Sequence, residues 1–357
     1  MQNIANQFAL EGQIAEITTL GEGFINDTFF IKTENNAPNY ILQRKNKNIF
    51  TDVPAMMDNI QRVTDHLKAK IVAAGGDPMR EALTVTPTKS GELYYKDAEG
   101  EFWAVCQYIE DNLTYSSAAT PELAFQGGKG IGQFQAMLSD FEGTLVDILP
   151  GFHQMRIRME QWDAAVKGDA AGRVKDLASE IDWIESRREW IMSLWAKVES
   201  GEIPTRITHN DTKINNILFD QQGQVLCVID LDTVLSSTAL NDYGDAIRSY
   251  TNTGLEDDLE LDNVSMSLPI FEGYTQGYLS QTKAFLNDAE KEHLADWAMV
   301  ITYEQVLRFL MDYINGDTYY KIKYDDHNLV RTRAQYKLLQ SMEEQKEKMH
   351  QIVKENI

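Results

Sequence analysis

The chain has 357 residues, 43% hydrophobic and 10% aromatic, a globular composition long enough for two lobes and unlike that of a disordered chain. Its 55 acidic and 33 basic residues leave a net charge of -22, which argues against nucleic acid and anionic membrane surfaces as partners, since phosphate contacts need clustered Lys and Arg. An acidic surface of this kind serves solubility first.

The N-terminus shows no basic segment followed by an apolar one, and no apolar run reaches the ~18–20 residues of a membrane span. Ile14–Leu20, Phe24–Ile31 and Tyr40–Arg44 read as strands. Gly21-Glu22-Gly23 and residues 34–39 between them are hairpin signals. Asp52 precedes a helix whose apolar face is Val53, Met56, Met57, Ile60, Val63, Leu67 and Ile71, stopped by Gly75-Gly76. Leu93–Lys96 and Phe102–Ile109 read as two further strands, so five strands and one helix make a small lobe over residues 1–109. The rest, 110–357, is mostly helical. Thr120-Pro121 opens a helix running to about Ser139; 160–200 is helical in pattern; Ala289–Ile314 is a long helix closed by Asn315-Gly316; and a charged amphipathic helix from about Thr332 ends the chain. Trp162, Trp183, Trp190 and Trp195 suit core packing. The two cysteines, Cys106 and Cys227, lie in apolar strand-like runs and suit core positions in a reducing compartment, so a cytoplasmic location is expected.

The chemistry concentrates in 207–234, read as a strand–loop–strand insert. His209, Asp211 and Asn216 form H-x-D-x-x-x-x-N, and the apolar strand Val225–Ile229 then ends in Asp230. Phosphoryl transfer needs an oriented acceptor hydroxyl and Mg²⁺ on the phosphates. Asp211 suits the base, Asn216 and Asp230 suit oxygen ligands of Mg²⁺, and His209 suits a brace of the loop. Lys213 either neutralises the migrating phosphoryl group or is a surface lysine. Asp232 is either a second metal contact or, as we prefer, a solvent-facing cap. Asp230-Leu231-Asp232 also fits the D-x-D-x-[TV] motif of aspartate-nucleophile phosphatases, but that reading leaves the His209–Asn216 block unexplained.

Gly21-Glu22-Gly23 is either an ordinary turn or one whose N–H groups cover the phosphates of ATP. The next expected part is a cation on the third strand. Alternation turns Gln43 to the face of Ile41 and Arg44 to the other, so either Gln43 does a weaker neutral job or Arg44 or Lys45 reaches in. Gln107-Tyr108-Ile109, where the lobes meet, is a further candidate nucleotide contact.

With these residues in place, the chain resembles the aminoglycoside-phosphotransferase and choline-kinase-like family. The matching runs include Gly21-x-Gly23-x-Ile25-Asn26, Tyr40-Ile41-Leu42-Gln43, Thr208–Lys213, Ile229–Thr233, Arg308-Phe309-Leu310 and His327–Arg333. The flanking runs are most similar to bacterial N-acetylhexosamine 1-kinases. The resemblance implies an α+β, bilobal protein-kinase-like fold: an antiparallel N-lobe for nucleotide and a helical C-lobe with a small catalytic β insert for catalysis and acceptor. It implies transfer from ATP with Mg²⁺ to the anomeric C1 hydroxyl of an N-acetylhexosamine by a monomer. Phe24, Arg308 and Tyr319, with Asp211, match positions expected at the sugar. Residue by residue, Arg308 is either that contact or a helix cation paired with Asp312, and Tyr319 either stacks on a sugar or packs on Tyr320. Two departures stand out. Gln43 replaces the lysine many relatives carry, and Phe24 replaces an expected histidine. The alternatives are a kinase of another sugar, an amino alcohol or an aminoglycoside, or a nucleotide-binding pseudokinase without activity.

Overall fold

The computed structural model describes residues 1–20 and 25–357, and it divides into two compact units. The first comprises 1–114, 140–150 and 216–236; the second comprises 115–139, 151–215 and 237–357.

In the first unit, α1 (Gln2–Ala5) leads into β1 (Ile14–Thr19), β2 (Asp27–Thr33) and β3 (Tyr40–Lys45). Then come α2 (Val53–Ala73), α3 (Pro78–Glu81), β4 (Val85–Thr86), β5 (Tyr95–Lys96) and β6 (Phe102–Gln107). The sheet order is β1-β2-β3-β6-β4, with β5 also on β6 and every pairing antiparallel. Strand alternation gives one face Ile31, Tyr40, Leu42, Trp103 and Val105, which bury Ala5 and Phe8. Helix α2 begins as expected: the Asp52 carboxylate accepts the Ala55 N–H, and the predicted apolar stripe is buried. Two differences bear on the site. Strand β4 is only two residues long, too short for alternation to reveal. Strand β3 runs one residue past Arg44 and so includes Lys45.

The remaining strands are β7 (Arg206–Thr208), β8 (Ile217–Phe219), β9 (Val225–Val228) and β10 (Leu235–Ser237). Strands β8 and β9 form a hairpin in the first unit, turned by Asp220, whose carboxylate accepts the N–H groups of Gln222 and Gln224. Leu113 and Phe219 exchange backbone bonds, and Leu218 and Cys227 bury Ile109. Residues 140–150 join this unit because Asn59 of α2 forms a reciprocal pair with the backbone of Val146, at 2.9 and 3.0 Å.

The second unit holds α4 (Pro121–Met137), α5 (Met155–Gly168), α6 (Ala178–Glu199), α7 (Ala239–Tyr250) and α8 (Leu268–Thr282). It continues with α9 (Asp288–Ile314), α10 (His327–Glu344) and α11 (Lys346–Asn356). The helical stretch expected over 160–200 is two helices, because Asp169 turns left-handed (φ 42°) and ends α5. The last helix starts at His327, earlier than Thr332, and breaks at Gln345. Helix α9 opens on a capping box of Asn287 and Glu290 and is buried almost all round, polar residues included, which places it at the centre of this unit's core. Helices α4 and α8 touch backbone to backbone: a Cβ on Gly128 would lie 2.2 Å from the Tyr274 carbonyl oxygen, and one on Gly277 2.0 Å from that of Phe125. Glycine inside a helix costs about 1 kcal/mol against alanine, and this close approach is what it provides here. Among the described residues no helix is long and apolar enough to cross a membrane.

Candidate functional site

Residues 209–213 follow β7 in the second unit, over helix α7. The buried Asp242 carboxylate accepts the backbone N–H of His209 (3.0 Å), that of Asn210 (2.7 Å) and the Gln135 amide (2.8 Å). Asp245, one turn on, accepts the Thr212 N–H at 2.9 Å, and the Thr212 hydroxyl donates to the Asp242 carbonyl. The remaining N–H, that of Asp211, donates to Nδ1 of the buried His209 at 3.2 Å. All four consecutive N–H groups are thus fixed by side chains, with Asn210 held left-handed (φ 65°). The Asp211 side chain keeps 25% exposure, and Lys213 Nζ lies 3.2 Å from its Oδ1. The Asp211 carboxylate raises the Lys213 ammonium above its ordinary value. Burial pushes the Asp242 carboxyl up, while the Asp245 carboxyl is lowered because Arg248 and Lys213 outweigh its burial.

A second support reaches the loop's carbonyl side. His153, itself left-handed (φ 52°), faces the Asn210 carbonyl with Nε2 at 3.2 Å and Glu304 of α9 with Nδ1 at 2.7 Å. Burial alone would raise the Glu304 carboxyl, but His153 and Arg158 overcome it and hold it at about 2, against an ordinary 4.5. The folded state therefore binds fewer protons than the unfolded one at this group. Its contribution is complete above pH 4.5 and is lost as pH falls toward 2. Glu304→Gln is expected to flatten the fall in urea midpoint across that window; an unchanged acid limb would refute the assignment.

In the first unit the hairpin gathers Asn216 and Asp230. Ile217 pairs with Val228, and the Ile229 N–H donates to the Asn216 carbonyl at 2.9 Å, so both residues stand at the open end. Asn216 is buried; Asp230 is exposed and left-handed (φ 60°, ψ 58°), turning the chain into a 3₁₀ turn at Leu231–Thr233. An amide and a carboxylate oxygen are hard donors suited to Mg²⁺. Among the described residues no cluster of three or more His, Cys, Asp or Glu could form an all-protein metal cage. Two oxygen ligands, with the rest of the shell left to water and phosphate, fit how Mg²⁺ is usually held.

Of the nucleotide residues, Gly21 and Gly23 lie outside the described residues, as does Phe24 of the acceptor set. Gln107 closes β6 and donates its N–H to Thr84. Tyr108 donates its N–H to Asn39, with its ring on Phe30, and Ile109 is buried on the hairpin. On β3, Arg44 pairs with exposed Asp27, whereas Lys45 is buried on Gln43's face. Asp232 is not the solvent-facing cap we expected. It is buried, and its carboxylate accepts from Lys45 (2.7 Å) and Asn26 (2.7 Å). In the second unit, Arg308 does not pair with Asp312. It donates to Gln305 and lies over the rings of Phe152 and Tyr320, at 5.5 and 5.6 Å. Asp312 is engaged by the N–H groups of Thr318, Tyr319 and Tyr320 and by Asn328. Tyr319 is 61% exposed, its ring edge-on to Tyr320 at 4.8 Å. Burial acts against the Arg308 charge, but Tyr320 and Glu304 outweigh it and raise its guanidinium further.

A family model for the Phosphotransferase enzyme family, APH, matches residues 16–265, well over half of the chain. The chain belongs to the APH phosphotransferase family. Solved structures similar to it include a microcompartment-associated aminopropanol kinase (TM-score 0.60, 15% identity, 98% of this chain and 97% of that one). An aminoglycoside phosphotransferase from Alicyclobacillus acidocaldarius follows closely (TM-score 0.59, 13% identity, 98% and 96%). A spectinomycin phosphotransferase in complex with ADP and spectinomycin is similar too (TM-score 0.55, 11% identity, 97% and 98%). At these identities the likeness is one of fold, and the antiparallel sheet followed by a helical part agrees with it.

Several residues that build the loop of this APH phosphotransferase escaped the sequence reading: Gln135, His153, Asp242, Asp245 and Glu304. One signal was present. Asp242 and Asp245 sit three apart in Ala239–Tyr250, a helix buried on every side, where ionisable groups are rare unless paired.

Proposed function

We propose that this phosphotransferase is a Mg²⁺- and ATP-dependent kinase of a small alcohol, and that its acceptor is the C1 hydroxyl of an N-acetylhexosamine. The observation that carries the kinase reading is the fixed 209–212 backbone, which presents one carboxylate, Asp211, beside Lys213. Residues 1–109 would serve the nucleotide and 110–357 catalysis and the acceptor. Asp211 takes the acceptor's hydroxyl proton as its oxygen bonds to the γ-phosphorus, and the bond to the ADP oxygen breaks. Asn216 and Asp230 would hold the metal through their oxygens. When bound, Mg²⁺ neutralises charge on the phosphates. Lys213 orients Asp211 and offers positive charge to the group in transit.

The sugar assignment rests on the resemblance of the flanking runs and on Arg308 with Tyr319. A second reading, an amino alcohol or aminoglycoside acceptor, is favoured by the net charge of -22 and by the aminopropanol kinase and aminoglycoside phosphotransferases among the similar folds. Gln43 in place of a lysine is the feature that favours a pseudokinase. A single panel separates these readings: MgATP with N-acetylglucosamine, N-acetylgalactosamine, hexoses, choline, aminopropanol and aminoglycosides, followed by ADP release. Turnover with N-acetylhexosamines alone is expected. Turnover with an amino alcohol or aminoglycoside overturns the sugar assignment, and none with any acceptor favours the pseudokinase.

A further inference from the structure

We propose that Lys45 and Asp232 are a positioning pair for Asp230, and that Lys45 is not a cation of the phosphates. Lys45 is the obvious substitute for the lysine missing at Gln43, two residues on along the same face of β3. Its bonding argues otherwise. An ammonium has three N–H donors. Here they meet Gln43 Oε1 at 2.6 Å and the two Asp232 oxygens at 2.7 and 2.9 Å. The pair is buried, with side-chain exposures of 4% and 6%.

Asp232 is equally committed. Beyond Lys45 it accepts from the Asn26 amide, and Asn26 Oδ1 in turn accepts the Asn46 N–H at 3.0 Å. One carboxylate thereby joins three places: the segment just after residues 21–24, the end of β3, and the chain two residues past Asp230. Turning Asp232 toward a cation, or Lys45 toward a phosphate, would leave a buried partner unpaired, which is the costly arrangement of buried charges. Asp230 itself is left-handed, an uncommon conformation for a non-glycine residue, which a local constraint would help to hold. Leu231, buried directly after it, and Asp232 supply that constraint.

The ion pair stands without the kinase reading; its effect on Mg²⁺ rests on it, and the test treats the two separately. Thermal unfolding of Lys45→Met, Asp232→Asn and the double variant reads the pair. Each single variant should lower the midpoint, and the double should lower it by less than the two together. Additive losses overturn the pair. Calorimetric titration with ADP, in EDTA and in Mg²⁺, reads the position of Asp230 in the double variant, which lacks an unpaired charge and so keeps its fold. Affinity in EDTA should stay within about twofold of wild type. The Mg²⁺ needed to enhance ADP binding should rise roughly 10–100-fold, as when a ligand's support is removed. A roughly tenfold loss in EDTA overturns the proposal in favour of a phosphate contact by Lys45. An unchanged Mg²⁺ requirement overturns it in favour of a strut without bearing on Asp230. Failure of wild-type protein to bind ADP overturns the kinase reading and the Mg²⁺ claim, and leaves the ion pair to the unfolding data.

Discussion

Asp211→Asn is expected to lower acceptor-dependent ADP formation by roughly 10²–10⁴-fold while leaving the unfolding midpoint within a degree or so of wild type. Asparagine has nearly the shape of aspartate but accepts no proton. The loop that carries residue 211 is held by its backbone, so the substitution leaves these supports in place: the N–H groups of residues 209–212 bond to Asp242, His209 and Asp245. Lys213 loses its charged partner, but both side chains are partly exposed and such a pair contributes little to stability. The measurement is a coupled ADP assay with thermal unfolding on the same preparation. Near-wild-type turnover would remove Asp211 from the role of base, and a collapsed fold would show that the loop depends on its carboxylate after all.

Asp242→Ala should do the opposite, failing through the fold. Its carboxylate is the acceptor for two backbone N–H groups and the Gln135 amide, all of them buried. Removing it strands those donors, each at about 1–3 kcal/mol, partly offset by relief of a carboxylate that burial already disfavours. A net loss of about 2–5 kcal/mol is expected from urea unfolding, with turnover falling alongside it. Asp242→Asn, which keeps one acceptor oxygen, should lie between. Wild-type stability and turnover in Asp242→Ala would mean that something else holds the 209–212 backbone. The two variants form a contrast: the first removes a proton acceptor from an intact loop, the second removes the loop's support and leaves the acceptor.

Much of this was legible in the residues. Strands β1, β2, β3 and β6 of the first unit, helix α2 with its Asp52 cap, and the His209–Asn216 block announce themselves because each depends on neighbours close in sequence: alternation, an apolar stripe, a loop between two short strands. What escaped depended on partners outside any local repeat. Asp232 reads as a polar residue near a turn until Lys45, 187 positions earlier, is placed against it. Asp312 looked like the i,i+4 partner of Arg308, yet the backbone of 318–320 engages its carboxylate. His153 carried no pattern at all. Its hydrogen bonds to Glu304 and to the Asn210 carbonyl leave no trace in the local sequence.

The β8–β9 hairpin has a consequence for recognising kin. Asn216 and Asp230 are fourteen positions apart, but cross-strand pairing brings them to one end, and the Asp220 turn lies at the other. Their separation in space is therefore independent of the length of chain between them. A lineage could lengthen both strands by a rung, or swell the turn by any number of residues, and keep the two residues at the same end of the hairpin. A search that demands fixed spacing between them will discard true cousins, whereas one that asks only for an Asn before the first strand and an Asp just after the second will keep them.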